Sequence, residues 1–239
     1  MDLKITPANM RGWTDKDSKK EHFRVLYEQH DFLTAYAKHT DLRVAADPKW
    51  AIGRGDEWES HGREQFLFLI HEGLRCWYKF LDVGCGVGRL ARTIVPFLED
   101  SCYTGVDISP AALAHARELS AIEGWVAKNP RFLINSDLDL PDTQFDLLWA
   151  HSVFTHLPPQ QIELMIANAA KVLKTGGKFL FTYKQARQAQ RSGLKQFQYP
   201  PSYFATIAGR HGFHSEPLNY VFPAHQNTMR LTRLADDSE

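Results

Sequence analysis

Short apolar runs alternate with segments of helical periodicity along most of the chain. Five of these runs predict buried strands, at 79–83, 102–108, 130–138, 145–150 and 179–183. The segments that precede or separate them carry apolar residues at helical spacing, most clearly at 61–74, 90–95, 111–119 and 160–173. Two last runs, 217–221 and 229–234, alternate apolar and polar residues and predict an antiparallel pair. This order predicts an α/β fold with a doubly wound, mostly parallel sheet of seven strands.

The first part of the chain has a different pattern. Residues 1–48 are rich in charge and are predicted to be mostly helical, with Phe23, Leu26 and Tyr27 on one face. Such helices either pack over a sheet edge or cover a bound ligand, and both interpretations stay open. We therefore divide the chain into an N-terminal helical extension, residues 1–61, and a main domain, residues 62–239.

One stretch in the first half of the chain joins an apolar run to three glycines and the start of a helix. These glycines, Gly84, Gly86 and Gly88, stand at alternate positions. Glycines let the backbone approach a nucleotide closely, and a helix N-terminus offers free N–H groups. A dinucleotide site requires its third glycine at the position that Arg89 occupies here. Asp82 would repel a pyrophosphate, but it suits an amine or a sulfonium centre.

The segment Leu-Asp-Val-Gly-Cys-Gly-Val-Gly, residues 81–88, resembles the first motif of class I S-adenosylmethionine-dependent methyltransferases. The strand Phe-Asp-Leu-Leu-Trp-Ala, followed by Val-Phe-Thr-His-Leu, and the later turn Leu-Lys-Thr-Gly-Gly are also similar to that family. The resemblance covers about residues 62–234. It implies a Rossmann-like sheet with the strand order 3-2-1-4-5-7-6. It also implies S-adenosyl-L-methionine as the cofactor and O- or N-methylation of a small molecule.

The resemblance implies cofactor-binding residues at the ends of several strands. Asp107 ends the second strand, where an acid in this type of crevice binds ribose hydroxyls. Ser136-Asp137-Leu138 resembles the motif whose acid accepts from the adenine amino group. The predicted cofactor-binding set is Asp82, Gly84, Cys85, Gly86, Gly88, Asp107, Ile108, Ser136, Asp137, Leu138 and Ala150.

Two histidines are candidate general bases, which a hydroxyl acceptor needs and a neutral amine does not. His151 ends the fourth strand and is the first candidate; His156, in the next turn, is the second. His151 could instead contact the cofactor, and His156 could be a packed core residue. If His151 is an unperturbed base, activity should rise near pH 6.5.

Directly after the fifth strand, residues 184–200 contain four basic residues and no acidic one. The basic residues are Lys184, Arg187, Arg191 and Lys195. This segment is either a solvated surface loop or a wall that binds an anionic substrate through Arg187 and Arg191. Arg54 and Trp58 lie before the first strand and are further candidates to line the crevice. They could equally belong to a loop that packs on the surface.

Composition limits the possible partners. Lys and Arg total 28 and balance 28 Asp and Glu, which argues against a nucleic-acid partner. The chain has neither an apolar run that could span a membrane nor the apolar core of a signal peptide. The chain has three cysteines, an odd number, and one of them lies in the glycine turn, so a set of disulfides is not expected. This favours reduced thiols and a cytoplasmic location. We predict no metal, and we leave the oligomeric state open.

Two other functions remain possible from the sequence. One is a nicotinamide-dependent oxidoreductase, against which the spacing of Gly88 counts. The other is a catalytically silent domain that binds S-adenosylmethionine and a protein partner, because its binding motifs would look the same.

Overall fold

A computed structural model describes residues 16–51, 57–140 and 143–235 of the chain. The helices are α1 (Lys16–Gln29), α2 (Phe32–Ala46), α3 (Pro48–Ala51), α4 (Trp58–His71), α5 (Ala91–Phe97), α6 (Pro110–Ile122), α7 (Pro159–Val172) and α8 (Pro201–Arg210). The strands are β1 (Phe80–Val83), β2 (Tyr103–Asp107), β3 (Arg131–Ile134), β4 (Phe145–Ala150), β5 (Leu173–Lys184), β6 (Gln190–Ser192), β7 (Gln196–Gln198), β8 (Phe213–Phe222) and β9 (Gln226–Arg233). None of the helices described is long and apolar enough to cross a membrane.

Seven of the strands form one sheet, in the order β3-β2-β1-β4-β5-β9-β8. Strands β1 to β5 are parallel, whereas β9 runs antiparallel to both β5 and β8. Because β6 and β7 pair only with each other, this is the predicted order 3-2-1-4-5-7-6 when the main sheet alone is counted. The predicted fold class is confirmed. The sheet is extended on one side of β1 by β2 and β3 and on the other side by β4 and β5, so the topological switch point lies between β1 and β4. Ligands are expected at the carboxyl ends of these two strands.

The sheet is buried on both faces, as parallel sheets usually are. In β5, Phe179 and Phe181 pack on one side, with the helices α7 and α8, while Leu180 packs on the other. Trp149 of β4 is fully buried, and its indole N–H donates to the Gln65 side chain of α4 at 3.0 Å. The strands between the helices are therefore fixed from both sides, and their carboxyl ends form a rigid edge.

Two segments differ from the sequence prediction. Leu173 already pairs with Phe145, and a register shift follows before Lys178 pairs with Leu147, so β5 begins before the predicted strand at 179–183. The basic segment 184–200 is not an irregular loop, because β6 and β7 form a hairpin within it. Both differences come from pairing partners that a local pattern does not contain.

The N-terminal helices pack against the main domain. Asp41 of α2 accepts hydrogen bonds from the Ser109 hydroxyl and from the backbone N–H of Ala111, at the start of α6. Ser109 is the N-cap of α6, and its hydroxyl accepts from the Ala112 N–H at 3.1 Å. Helix α4 begins at Trp58, four residues before the proposed main domain. The division at residue 61 stays a prediction.

Gly84 allows the loop after β4 to approach the glycine turn. Its φ is +70°, and a Cβ atom there would lie 2.5 Å from Cγ2 of Val153. Gly84→Ala should therefore lower the free energy of unfolding by about 1–3 kcal/mol, measured by urea denaturation.

Gly209 offers a matched control for that measurement. It lies in α8, and a Cβ atom added to it would enter open space. Gly209→Ala should raise stability by about 0.5–1 kcal/mol, because alanine loses less backbone freedom in a helix. Equal stability of Gly84→Ala and the wild type would show that Val153 moves aside without cost.

Candidate active site

A cavity of about 590 Å³ opens at the carboxyl ends of β1, β2 and β4. Its floor comes from the main domain, and helix α2 supplies much of the opposite wall. Nine of the predicted site residues line it: Asp82, Gly84, Cys85, Gly86, Asp107, Ile108, Ser136, His151 and His156. Helix α2 contributes Tyr36, Thr40 and Arg43, with Leu33 near its start.

The glycine turn is tied to the end of β2. The backbone N–H groups of Gly84 and Cys85 both donate to the Val106 carbonyl, at 2.8 and 3.0 Å. Gly86 has a φ of +56° and donates its N–H to the Asp107 carboxylate. Gly88 does not line the cavity, because it faces α6, where an added Cβ would lie 3.5 Å from Ala116. Its role is close packing of the turn on that helix.

The Asp107 carboxylate joins the glycine turn to the start of α6. One oxygen accepts from Gly86 N–H at 2.9 Å, and the other accepts from Ser109 N–H at 2.8 Å. Burial raises the pKa of Asp107, and the two backbone hydrogen bonds oppose that shift. Each carboxylate oxygen can accept a second hydrogen bond. Asp107 can therefore accept from two neighbouring hydroxyls of a ligand in the cavity.

Asp82 is buried at the end of β1, with 4% of its surface exposed. Its carboxylate accepts from the Tyr103 hydroxyl at 2.8 Å. Burial raises the pKa of Asp82 to about 7, although this hydrogen bond and the charge of Arg89 act in the opposite direction. Near neutral pH, Asp82 is thus poised between its two protonation states. A cationic ligand group beside it would favour the ionised state.

The turn after β3 departs from the predicted adenine site. Asn135 accepts from the backbone N–H groups of Asp137 and Leu138, at 3.2 and 2.7 Å. The Asp137 carboxylate accepts within the same turn, from Asn135 and from Asp139 N–H, and does not line the cavity. Leu138 and Ala150 are buried in the apolar core instead. Asn135 and Ser136 are the residues of this turn that reach the cavity.

His151 packs between Trp149 and Phe222, with ring centroids 5.9 and 5.1 Å away. Its Nδ1 lies 3.4 Å from a guanidinium nitrogen of Arg89. Because a guanidinium only donates, Nδ1 is the acceptor and the proton of the neutral ring is on Nε2. Burial, followed by the charge of Arg89, lowers the pKa of His151 well below its usual value. This geometry makes His151 a hydrogen-bond donor, and it does not support the predicted base with a pKa near 6.5.

His156 has the opposite arrangement. Its Nδ1 lies 2.7 Å from the Lys195 carbonyl and must donate to it, which leaves Nε2 as the basic nitrogen. The Tyr36 ring lies 5.5 Å from the imidazole. Burial, and then the charge of Lys195, lower the pKa of His156 to about 4. The ring is therefore neutral, and Nε2 can accept a proton, over the whole range near neutral pH.

The three predicted substrate residues that the structure describes, Trp58, Arg187 and Arg191, do not line the cavity. Trp58 is 3% exposed and packs in a small apolar cluster with Val44 and Ala51, beside Lys49 and Arg92. Arg187 is exposed. Arg191 donates to the carbonyls of Gly193 and Leu194 and lies over the rings of Phe32 and Phe197, so it stabilises the β6–β7 hairpin. Arg54 lies outside the described residues. The basic segment reaches the cavity through Lys184 and Lys195 instead.

Sequence reasoning missed several residues of the cavity, among them Tyr36, Arg43, Arg89 and Lys195. Tyr36 and Arg43 stand two turns apart on α2, and that spacing could have marked a polar face. Arg89 follows the third glycine directly. Lys195 carried no local signal, because its burial depends on α2, which lies far away in the sequence.

The comparisons with known proteins agree with this geometry. Residues 81–179 match the family model of a methyltransferase domain. The fold is similar to that of magnesium protoporphyrin IX methyltransferase from Synechocystis PCC 6803, solved with bound SAM. The TM-score is 0.59 at 15% identity, over 98% of this chain and 100% of the other.

Curated relatives match over about half of the chain. Sterol 24-C-methyltransferase from Gibberella zeae is 33% identical over 115 residues, which are 47% of this chain and 29% of the relative. Demethylmenaquinone methyltransferase from Tropheryma whipplei is 33% identical over 128 residues, which are 51% of this chain and 47% of the relative. The chain thus spans less than half the length of these relatives. Residues 81–179 thus match a methyltransferase domain, and the sheet has the strand order that the resemblance to class I methyltransferases implies.

Proposed function

We propose that this protein transfers the methyl group of S-adenosyl-L-methionine to an oxygen or nitrogen atom of a small molecule. One observation carries the proposal: the glycine turn, Asp82 and Asp107 meet in a single cavity at the switch point of the sheet. The named relatives, which methylate a sterol and demethylmenaquinone by their descriptions, support a small acceptor.

The residues present fit the cofactor. Asp107 would accept from the ribose hydroxyls, with Ile108 and Ser136 beside the nucleoside. The glycine turn would admit the methionine part at close range, next to the buried carboxylate of Asp82. When bound, S-adenosylmethionine supplies a methyl group that its sulfonium centre activates. The protein then mainly has to align the acceptor and exclude water, which can supply much of the rate enhancement.

His156 is the general base that we propose for a hydroxyl acceptor. The Lys195 carbonyl fixes its tautomer, and Nε2 remains free to take the acceptor's proton. His151 would serve as a donor from Nε2 toward the cofactor side of the cavity, oriented by Arg89. An amine acceptor would need neither role, because its lone pair is already available.

The two rival functions fit the cavity less well. A nicotinamide cofactor would place its pyrophosphate near the carboxylate of Asp82, while Gly88, the third glycine, packs on α6. A silent binding domain would not need the polar residues His156 and Lys195 in the cavity.

A cytoplasmic location also belongs to this proposal, supported by three free thiols at Cys76, Cys85 and Cys102. The expectation of no nucleic-acid partner stays a prediction.

The direct test has two steps. S-adenosylhomocysteine should raise the melting temperature of the protein, and NAD should not. Incubation with methyl-labelled S-adenosylmethionine and a panel of small hydroxyl and amine compounds should then label at least one of them. Stabilisation by NAD alone would favour the oxidoreductase, and binding without turnover on any acceptor would favour the silent domain.

Asp107→Ala should raise the dissociation constant of S-adenosylhomocysteine by about ten- to a hundredfold, because a hydrogen bond to a charged group contributes about 1.5–3 kcal/mol. Calorimetry on the folded variant measures this. An analogue without the two ribose hydroxyls should lose far less affinity, which separates ligand binding from the two backbone contacts of Asp107. Asp139→Ala, an exposed acid outside the cavity, is the control. Equal losses for both ligands would remove Asp107 from the ribose site.

Asp82 should make cofactor binding depend on pH. Its pKa is about 7 in the free protein, and a cationic ligand lowers that pKa, so binding releases a proton below and around pH 7. Affinity for S-adenosylmethionine should rise with pH up to about 7 and then level off. Calorimetry in buffers of different ionisation enthalpy counts the released protons.

Two variants test whether Asp82 causes that dependence. Tyr103→Phe removes a hydrogen bond that favours the ionised form, so the midpoint should move to higher pH. Asp82→Asn should abolish the dependence. A pH profile that is unchanged in Asp82→Asn would assign the titration to another group.

His156→Asn should lower kcat for a hydroxyl acceptor by about 10²-fold, the lower end of the usual range, because a base with a pKa of about 4 is weak. The affinity for S-adenosylhomocysteine should stay within about twofold, since Nε2 faces the acceptor in this proposal. The wild-type kcat, measured at saturation with both substrates, should be flat between about pH 5 and 8. An unchanged kcat in His156→Asn would indicate an amine acceptor or a different base.

A further inference from the structure

Two cations lie at the end of the cavity that holds His156. Arg43 comes from α2, and Lys195 comes from the β6–β7 hairpin just before β7. A guanidinium nitrogen of Arg43 donates to the Trp50 carbonyl at 2.8 Å, and the Lys195 ammonium lies 5.2 Å from the centre of the Tyr36 ring. Both side chains are thus held in place by neutral groups. Within residues 16–51, 57–140 and 143–235, no carboxylate forms an ion pair with either of them.

This arrangement is unfavourable in the absence of an anion. Burial, together with the nearby charge of Arg43, lowers the pKa of Lys195 to about 7. Burial also lowers the pKa of Arg43. Lys184, at the end of β5, adds a third cation to the same cavity, and His156 faces all three charges. A partly buried cluster of like charges is costly unless a group of opposite charge joins it.

We propose that Arg43 and Lys195 bind an anionic group, a carboxylate or a phosphate, on the methyl acceptor. This inference rests on the proposed function, because it assigns the second ligand of the same cavity. Arginine offers a planar set of N–H donors and lysine a compact charge, and together they suit the oxygens of either anion. The anion would fix one end of the acceptor.

Apolar and aromatic side chains of the cavity define the rest of the acceptor. They include Leu33, Tyr36, Val153, Leu157 and Met165. An acceptor with an apolar body and one anionic group would meet both kinds of wall. Nε2 of His156 belongs to the same region, so a hydroxyl on that body would lie near a base while the anion is held by the two cations.

The hairpin explains why Lys195 faces the cavity whereas Arg191 does not. The guanidinium of Arg191 donates hydrogen bonds to the carbonyls of Gly193 and Leu194 in the turn. It also lies over Phe32 and Phe197, which contact each other between α2 and β7. Arg191 is therefore a positioning residue that fixes the hairpin against α2, and Lys195 is the residue that the hairpin places in the cavity.

The test uses the full chain loaded with S-adenosylhomocysteine and three probes of similar shape: benzoate, phenyl phosphate and benzamide. Both anions should bind more tightly than benzamide in calorimetric titrations, and the tighter of the two identifies the preferred anion. Lys195→Met and Arg43→Met should each weaken anion binding by about tenfold or more. Arg187→Met, an exposed cation of the same segment, is the matched control and should bind both anions like the wild type.

A pH series separates a direct contact from a structural role. Benzoate affinity should fall as pH rises through about 7 in the wild type, because Lys195 loses its proton there. In Lys195→Arg the affinity should stay constant up to about pH 9, because arginine keeps its charge. Tyr36, Arg43, Lys184 and His156 are the other ionisable groups that face Lys195 or its neighbours, and all are unchanged in this variant.

The outcomes distinguish this inference from the proposed function. If S-adenosylhomocysteine fails to bind the wild type, the proposed function is wrong. If it binds normally but benzoate and phenyl phosphate bind no better than benzamide, the anion site is wrong and the methyltransferase proposal stands. The same conclusion follows if Lys195→Met and Arg187→Met have equal effects.

Discussion

The carboxylate of Asp107 is the contact on which the cavity depends. It accepts from Gly86 in the glycine turn and from Ser109 at the start of α6, so it connects two elements that follow different strands. Ser109 in turn donates to Asp41 of α2. A single chain of hydrogen bonds thus runs from the glycine turn to the N-terminal helices. It fixes the floor and the opposite wall of the cavity relative to each other.

A second set of contacts fixes the far end of the cavity. The fully buried Thr182 hydroxyl accepts from Ser152 N–H at 2.7 Å and donates to the Gln226 side chain at 2.8 Å. This joins the loop after β4 to β5 and β9. His151 and His156 lie on either side of Ser152 in that loop, so the positions of both rings depend on the sheet rather than on flexible side chains.

The sequence contained enough information to predict the sheet order and the position of the glycine turn at the end of the first strand. The glycine turn, Asp82 and Asp107 are read from short segments whose local pattern determines their place at the ends of β1 and β2. Asp137 lies in a turn whose conformation a local pattern does not predict. An adjacent asparagine, Asn135, organises the turn around its own side chain and keeps the Asp137 carboxylate out of the cavity.

The acceptor half could not be predicted because its contacts join distant parts of the chain. The tautomer of His151 depends on Arg89, 62 residues away, and that of His156 depends on the carbonyl of Lys195, 39 residues away. Neither partner can be recognised from the histidines themselves. The two histidines look equivalent in the sequence, and only the folded chain distinguishes their surroundings.

Lys195 contributes two different groups to the cavity. Its backbone carbonyl orients the imidazole of His156, and its side chain brings a positive charge to the same cavity. A substitution changes the side chain and leaves the carbonyl in place. Under the proposed function, a change at position 195 would therefore alter which anionic acceptors bind and would keep the orientation of the histidine.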